Sequence, residues 1–176
     1  MTTIETSRLT LRRFEPTDIP DYSRIRGLAE AVRHLPGGEA STAHADEIAE
    51  QAVNRFIHHW EEHGFGPWAV CDKETGNLLG HCGLQQIDES GAAEIVILLD
   101  PSCWNKGLGS EILCSTLDYG FSVLGMDTLV AFVHPNNEHA QQLLEKVGME
   151  AANELVASRG QRRKRYTLER ETYVLE

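Results

Sequence analysis

The chain has 176 residues, of which 41% are hydrophobic and 24% charged, and its formal net charge is −11. This length and composition predict one globular domain spanning residues 1–176. The negative charge disfavours nucleic acid as a partner and favours a cationic or amine partner. No apolar run approaches the roughly 18 residues of a membrane span, so no membrane partner is expected.

The N-terminus and the cysteines indicate in which cellular compartment the protein is located. The first residues include Glu5 and lack the apolar core of a secretory signal. The four cysteines, at 71, 82, 103 and 114, form no Cys-x-x-Cys pair, so reduced thiols are expected rather than disulfides. A cytoplasmic location follows as a prediction. The cysteines and the eight histidines show no metal-ligand spacing, and no metal is expected.

Basic residues are concentrated near the end of the chain. Six of the 16 lysines and arginines lie in the last 18 positions, four of them in the run 162–165. The first 158 residues hold 10 basic and 24 acidic side chains, a net charge of −14. This acidic excess is either solvated surface or a means of steering an ammonium group toward an acceptor site.

Helix and strand patterns follow one another along the first half of the chain. Alternation over residues 8–14 predicts a strand, and 16–18 begins a helix that runs towards Val32 and is broken at 36–38. A second helix is predicted over 45–62, with its apolar stripe at Ala49, Ala52, Phe56 and Trp60. Strands at 68–72, 78–87 and 92–99, with turns at 74–77 and 88–91, predict an antiparallel meander.

The second half continues with a long helix, a strand, a short helix and a hairpin. The predicted elements are a helix at 105–124, a strand at 128–134, a helix capped by Asn136 or Asn137 and ended by Gly148, and a closing hairpin of 150–157 and 165–174 around 158–161.

The stretch from Asp100 to Leu113 carries the strongest chemical signal. An apolar run at 95–99 predicts a buried strand before it, and a helical repeat follows it. Gly107 and Gly109 lie where this helix should begin. A strand, a glycine turn and a helix start expose unpaired backbone N–H groups at the positive end of the helix dipole, which suits phosphate. The glycine spacing fits neither the P-loop nor the dinucleotide fingerprint.

Five segments, in order, resemble the GNAT superfamily of acetyl-CoA-dependent N-acetyltransferases. Residues 101–110 resemble its pyrophosphate loop, Arg/Gln-x-x-Gly-x-Gly/Ala. Trp104 stands in the first position, as is usual in the branch that acetylates ribosomal-protein N-termini (RimJ/RimL-like). Residues 6–13 resemble the opening strand of the family, and residues 79–84 resemble its central hairpin. Residues 93–95 resemble its fourth strand, and residues 135–149 resemble its second cofactor helix. The resemblance covers nearly the whole chain.

The resemblance implies a fold and a co-substrate. The fold is α+β, with a mixed, mostly antiparallel sheet of about seven strands, splayed between the fourth and fifth and flanked by about four helices. The co-substrate is acetyl-CoA. The residues implied in binding it are Leu98, Leu99 and Asp100 for the pantetheine, the amides of Asn105, Lys106, Gly107, Leu108, Gly109 and Ser110 for the pyrophosphate, and Asn137 for the pantetheine arm. Lys106 either adds charge near the phosphates or is solvated, and Trp104 either anchors the loop or touches the cofactor.

Glu94 is the predicted general base, because it is the one carboxylate inside an apolar strand and the family often has glutamate there. The alternative is a salt-bridged edge residue. His134 and His81 are candidate proton relays, since histidine titrates near neutrality, or are structural. Leu144 replaces the tyrosine acid of many GNAT enzymes, and Ala140 replaces the serine of the ribosomal branch. A coenzyme thiolate can still leave unprotonated, because an alkyl thiol has a pKa of about 8.5.

The predicted activity is acetyl transfer to a primary amine, either a protein N-terminus or a small cationic amine, by direct attack in a ternary complex. The alternative is a catalytically weak acyl-CoA-binding module. The loop 34–39 is a candidate for acceptor contact or an ordinary loop. The resemblance leaves a homodimer through the closing hairpin open. The basic run 162–165 belongs to that interface, to a contact with the adenosine 3′-phosphate, or to a solvated hairpin tip.

Overall fold

An eight-stranded sheet forms the centre of the computed structural model, which describes residues 3–88 and 92–173. The strands are β1 (Ile4–Glu5), β2 (Leu9–Arg12), β3 (Pro67–Asp72), β4 (Leu78–Gln86), β5 (Ala93–Leu99), β6 (Thr128–Val133), β7 (Glu150–Ser158) and β8 (Gln161–Glu169). The helices are α1 (Ile19–Arg26), α2 (Ala29–Val32), α3 (Ala45–His63), α4 (Leu108–Asp118) and α5 (Glu138–Lys146).

The strands are ordered β1-β2-β3-β4-β5-β6-β8-β7 across the sheet. Every neighbouring pair is antiparallel except β5 and β6, which run parallel. The predicted meander of three strands is therefore confirmed as β3, β4 and β5. The mixed, mostly antiparallel α+β sheet is confirmed as well.

The sheet separates two hydrophobic cores. Neighbouring residues of a strand point to opposite faces, so Trp68 and Val70 enter one core while Ala69 and Cys71 enter the other. The first core also contains buried side chains of α4 and α5 and Trp60 of α3, and the second contains those of α1 and the other buried residues of α3. The predicted stripe on α3 is buried in full, which confirms the orientation of that helix.

The strand boundaries differ from the sequence prediction at both ends of the sheet. The described residues form eight strands rather than seven, because the two-residue β1 is too short to show an alternating pattern. In the closing hairpin, β8 begins at Gln161 and not at Arg165, so the basic run lies within the strand. Residues 89–91 of one predicted turn, and Val174 at the predicted end of the last strand, lie outside the described residues.

The helix boundaries differ as well. The first predicted helix is divided, because α1 ends at Arg26, is capped by Gly27, and is followed by the separate α2. The helix after the glycine loop begins at Leu108 rather than Asn105, since Asn105 (φ 59°) and Gly107 (φ 78°) are left-handed. A π-helical turn over Tyr119–Val123 continues it. In the described ranges, no helix combines the length and apolar character needed to cross a membrane.

Tyr22 and His81 form a buried polar pair in the second core. Tyr22 Oη lies 2.9 Å from His81 Nδ1, and Arg26 Nε donates to the same hydroxyl oxygen at 3.2 Å. The hydroxyl proton is therefore directed to Nδ1. Burial lowers the pKa of His81 well below its ordinary value, and the charges of Arg26, Arg55 and Arg159 lower it further. His81 is neutral in the folded protein.

The depressed pKa of His81 predicts an acid-sensitive fold. In the unfolded chain the imidazole binds a proton as the pH falls through about 6.5, whereas the folded imidazole stays neutral. The unfolded state then holds more protons, so the free energy of unfolding should fall below that pH by up to about 1.4 kcal/mol per pH unit. His81→Gln should remove this part of the slope, because the amide oxygen can still accept from Tyr22.

The measurement is urea unfolding between pH 5 and 7.5. His58→Gln is the matched control, because the His58 side chain is 74% exposed and should keep the wild-type slope. Identical slopes for the wild type and His81→Gln would contradict the prediction.

Candidate active site

The sheet opens between β5 and β6. β5 pairs with β4 along its full length but with β6 only at Ala93 with Leu129 and Glu94 with Val130. The predicted splay is therefore confirmed. The edge of residues 95–99 that faces β6 has no strand partner among the described residues, so its backbone polar groups, apart from the Leu99 carbonyl, lack a partner in the sheet and can meet a ligand.

A cavity of about 480 Å³ lies at this opening. Four segments line it: the end of β5, the glycine loop, the start of α5, and α2 with the loop after it. Among the residues expected to bind the coenzyme, the cavity brings together Leu98, Leu99, Asn105, Gly107, Gly109, Ser110 and Asn137. Asp100, Lys106 and Leu108 are not part of its wall.

The start of α4 is built to meet an anion. Gly107 caps the helix with φ 78°, a conformation that favours glycine. The hydrogen bond from Glu111 N to the Gly107 carbonyl (3.2 Å) is the first one within the helix. The amides of residues 108–110 come before it in the chain and therefore lack partners in the helix. Gly109 serves packing too, because a Cβ there would lie 2.9 Å from the Leu143 side chain. These amides suit the phosphates of a coenzyme.

Arg8 and Glu111 hold this loop in place. Arg8 donates from Nη1 to the Lys106 carbonyl (2.8 Å) and from Nε to Glu111 Oε2 (2.8 Å). Thr6 Oγ1 and the Arg8 amide donate to Glu111 Oε1 at 2.5 and 2.9 Å. This clamp could not be predicted from the sequence, because Arg8 and Glu111 are 103 positions apart and neither segment indicates the other.

Asp100 and Trp104 fix the loop against β5. The Asp100 carboxylate accepts from Ser102 N (3.0 Å) and Arg24 Nη2 (2.9 Å), and the Asp100 amide donates to the Leu79 carbonyl (2.7 Å). Trp104 Nε1 donates to the Leu99 carbonyl at 3.2 Å. This contact gives Trp104 an anchoring role, and because Trp104 also lines the cavity, its contact with the cofactor stays a prediction. The Asp100 amide and the Leu99 carbonyl, both among the expected pantetheine contacts, are thus bonded within the protein.

The other expected coenzyme residues differ in their surroundings. Asn137 caps α5 by accepting from the Ala140 amide (3.2 Å) and also lines the cavity. Lys106 is exposed, which agrees with the solvated alternative. Leu108 packs against the first core.

Glu94 lies at the vertex of the opening, on the face of β5 that carries Leu98. Its side chain is buried, and Arg159 binds both carboxylate oxygens, from Nη1 to Oε1 at 3.0 Å and from Nη2 to Oε2 at 2.7 Å. The salt-bridged alternative is therefore present in the structure. Its role as a base stays a prediction, which requires that Arg159 release at least one oxygen.

Two histidines meet beside the cavity. The rings of His34 and His134 are 5.3 Å apart, and His34 is part of the cavity wall. Burial lowers the pKa of His34, and the charge of His134 lowers it further. The predicted loop 34–39 thus contributes His34 to the cavity wall. His134 is not part of the wall but contacts the His34 ring. His81, the other candidate relay, is bonded to Tyr22 in the second core.

The two positions that depart from the family pattern are also located. Ala140 lines the cavity, whereas Leu144 is buried in the first core. Neither position can donate a proton to a departing thiolate.

Only part of the basic run fits the solvated alternative, because Arg162 and Arg165 are exposed whereas Arg163 is buried in β8. Arg163 is only 4% exposed, and Lys164 Nζ donates to Gln141 Oε1 on α5 at 2.8 Å. The tip itself is formed by Arg159 and Gly160, both left-handed. The hairpin thus directs Arg159 to Glu94 and buries Arg163 in β8.

Comparisons with known proteins agree with this geometry. Residues 8–150 match the family described as acetyltransferase (GNAT) domain. An uncharacterized N-acetyltransferase, p20 of Bacillus licheniformis, is 32% identical over 85% of this chain and 83% of its own. An acetyltransferase (GNAT family) from Bacillus anthracis superposes with a TM-score of 0.79 at 22% identity, covering 96% of this chain and 99% of that one.

A further structure, of spermidine N-acetyltransferase from Vibrio cholerae in complex with CoA and spermine, superposes with a TM-score of 0.76 at 25% identity. The match covers 96% of this chain and 99% of the other. The enzyme class expected from the sequence, an acetyl-CoA-dependent N-acetyltransferase, is confirmed by the family match, and the chain belongs to the GNAT family of acetyltransferases.

Proposed function

We propose that the protein transfers the acetyl group of acetyl-CoA to a primary amine by direct attack in a ternary complex. The observation that carries this proposal is that one cavity joins the unpaired edge of β5 to the glycine start of α4. The coenzyme would lie with its phosphates on the amides of 108–110 and its thioester in the opening between β5 and β6. The acceptor is a protein N-terminus, as in the RimJ/RimL-like branch, or a small cationic amine.

The chemistry needs few groups from the protein. The neutral amine nitrogen attacks the thioester carbonyl carbon, the C–S bond breaks, and the coenzyme leaves as a thiolate. The nitrogen loses one proton, which Glu94 would accept once Arg159 has released one of its oxygens. His134, beside His34 at the cavity, is the proposed relay for a proton to the thiolate.

A second candidate function is that of an acyl-CoA-binding module with weak catalysis. Its support is specific: both oxygens of Glu94 are bound by Arg159, and positions 140 and 144 carry no hydroxyl.

The test that separates the two functions is thiol release from acetyl-CoA with a panel of peptide N-termini and small amines. Turnover with either class supports the enzyme. Thermal stabilisation by acetyl-CoA with no acceptor-dependent thiol release would favour the binding module.

Ser110→Glu tests the phosphate end of the cavity. A carboxylate in the first turn suits the helix dipole, so the fold should keep its stability, but it repels a pyrophosphate bound to these amides. We expect the dissociation constant for acetyl-CoA to rise about tenfold or more at low salt, and less at high salt because ions screen the repulsion. Ser110→Gln, of the same size without charge, is the control. Equal affinities of the two variants in calorimetry would show that the phosphates lie elsewhere.

Glu94→Gln tests the proposed base. The amide keeps the shape of the carboxylate but cannot take a proton, so kcat should fall by about 10²-fold or more. Affinity for acetyl-CoA should be nearly unchanged, because Glu94 is not part of the cavity wall. The measurement pairs steady-state kinetics with calorimetric binding of acetyl-CoA. A kcat within a factor of about two of the wild type would remove Glu94 from the mechanism.

A further inference from the structure

Four arginines lie on the face of the sheet that carries Glu94, one each at the hairpin tip, in α1, in α3 and in β8. Arg159, at the hairpin tip, binds Glu94 directly. Arg26 of α1 lies over the Tyr22 ring at 5.4 Å, and Arg55 of α3 lies over the Phe56 ring at 5.5 Å. The Tyr22 and Phe56 rings both adjoin the buried His81, at 5.8 and 4.9 Å between ring centroids. Arg163 of β8 completes the group.

The arginines influence one another and are short of negative charge. Desolvation lowers the pKa of Arg55 and of Arg163. The charges of Arg26 and Arg159 lower the pKa of Arg55 further, and the charge of Arg159 does so for Arg163, where the charge of Glu94 acts in the opposite direction. Within residues 3–88 and 92–173, neither Arg26, Arg55 nor Arg163 forms an ion pair with a carboxylate. Glu94 is the carboxylate that this group holds, and Arg159 takes both of its oxygens.

Arg163 is the member that points most clearly to a ligand. It is only 4% exposed, and its hydrogen bonds go to neutral acceptors: Gln161 Oε1, from Nε at 3.3 Å and from Nη2 at 3.0 Å, and the Phe132 carbonyl at 3.5 Å. A buried charge is costly unless a partner of opposite sign compensates it. The guanidinium fork is suited to carboxylates, which it binds through two parallel hydrogen bonds.

We propose that the acceptor amine also carries a carboxylate, as a small amino acid does, and that this arginine group binds it. The inference rests on the proposed acetyl transfer and names its substrate class. The carboxylate supplies the missing negative charge and competes with Glu94 for Arg159. Binding of the correct acceptor therefore frees a Glu94 oxygen beside the incoming amine. A polyamine brings further positive charge to a site that already holds four guanidinium groups, so it is the wrong substrate class.

The experiment compares amino acids with their carboxamides, which keep the amine and lose the negative charge. Spermidine and an N-terminal peptide amide complete the panel, and thiol release from acetyl-CoA is followed. We expect kcat/KM for the acid to exceed that for its amide by at least about tenfold, the scale of one charged hydrogen bond. Arg55→Gln, at an exposed position where the fold should tolerate it, should reduce this acid-to-amide ratio by about tenfold.

The control is Arg162→Gln, an exposed arginine on the opposite face of the same strand as Arg163, which should leave the ratio unchanged. A general loss of folding would lower kcat/KM for acid and amide together, whereas loss of carboxylate binding lowers the acid alone. Amides or spermidine used as well as the acids would overturn the substrate class while leaving acetyl transfer in place. Absence of thiol release with every acceptor would overturn both the acetyl transfer and the substrate class.

Discussion

The parting of β5 from β6 is the constraint on which the rest of the structure depends. Two paired positions fix the relative position of the strands, and beyond Glu94 the backbone of β5 loses its neighbour. On its other side β5 stays bound to β4, where glycines allow the backbones to approach closely. A Cβ at Gly80 would lie 1.9 Å from the Leu98 carbonyl oxygen. The strand that lines the cavity is thus held rigidly from one side and open on the other.

Charge is divided along the cavity in a way that the net value of −11 conceals. At the coenzyme end, the anion would be met by backbone amides, and Lys106 points to solvent. At the vertex, Arg159 of the closing hairpin pairs with Glu94, and Arg26 of α1 and Arg55 of α3 lie over the Tyr22 and Phe56 rings on the same face of the sheet. The acidic excess of the first 158 residues therefore does not describe the surroundings of the reaction centre. The charge around the reaction centre is set instead by local ion pairs such as that of Arg159 with Glu94.

The sequence was sufficient where the determinants are local. The alternating strands, the buried stripe of α3, the Asn137 cap and the glycine loop depend on neighbours within a few positions. The start of α4 was misplaced because left-handed Asn105 gives no signal in composition.

The arginine group and the Arg8–Glu111 clamp could not be predicted, because each joins segments distant in the chain. Arg162 and Arg163 illustrate the limit: the same side chain, one position apart, is exposed in one case and buried beneath the site in the other.

The clamp has a consequence for how the protein is made. On the ribosome, Thr6 and Arg8 emerge about a hundred residues before Glu111, so they wait for their partner through most of synthesis. Closing so long a loop carries an entropic cost that only later contacts repay, and folds rich in such contacts form slowly. We therefore expect the coenzyme loop to be completed late, after the segment between β1 and β2 has met α4.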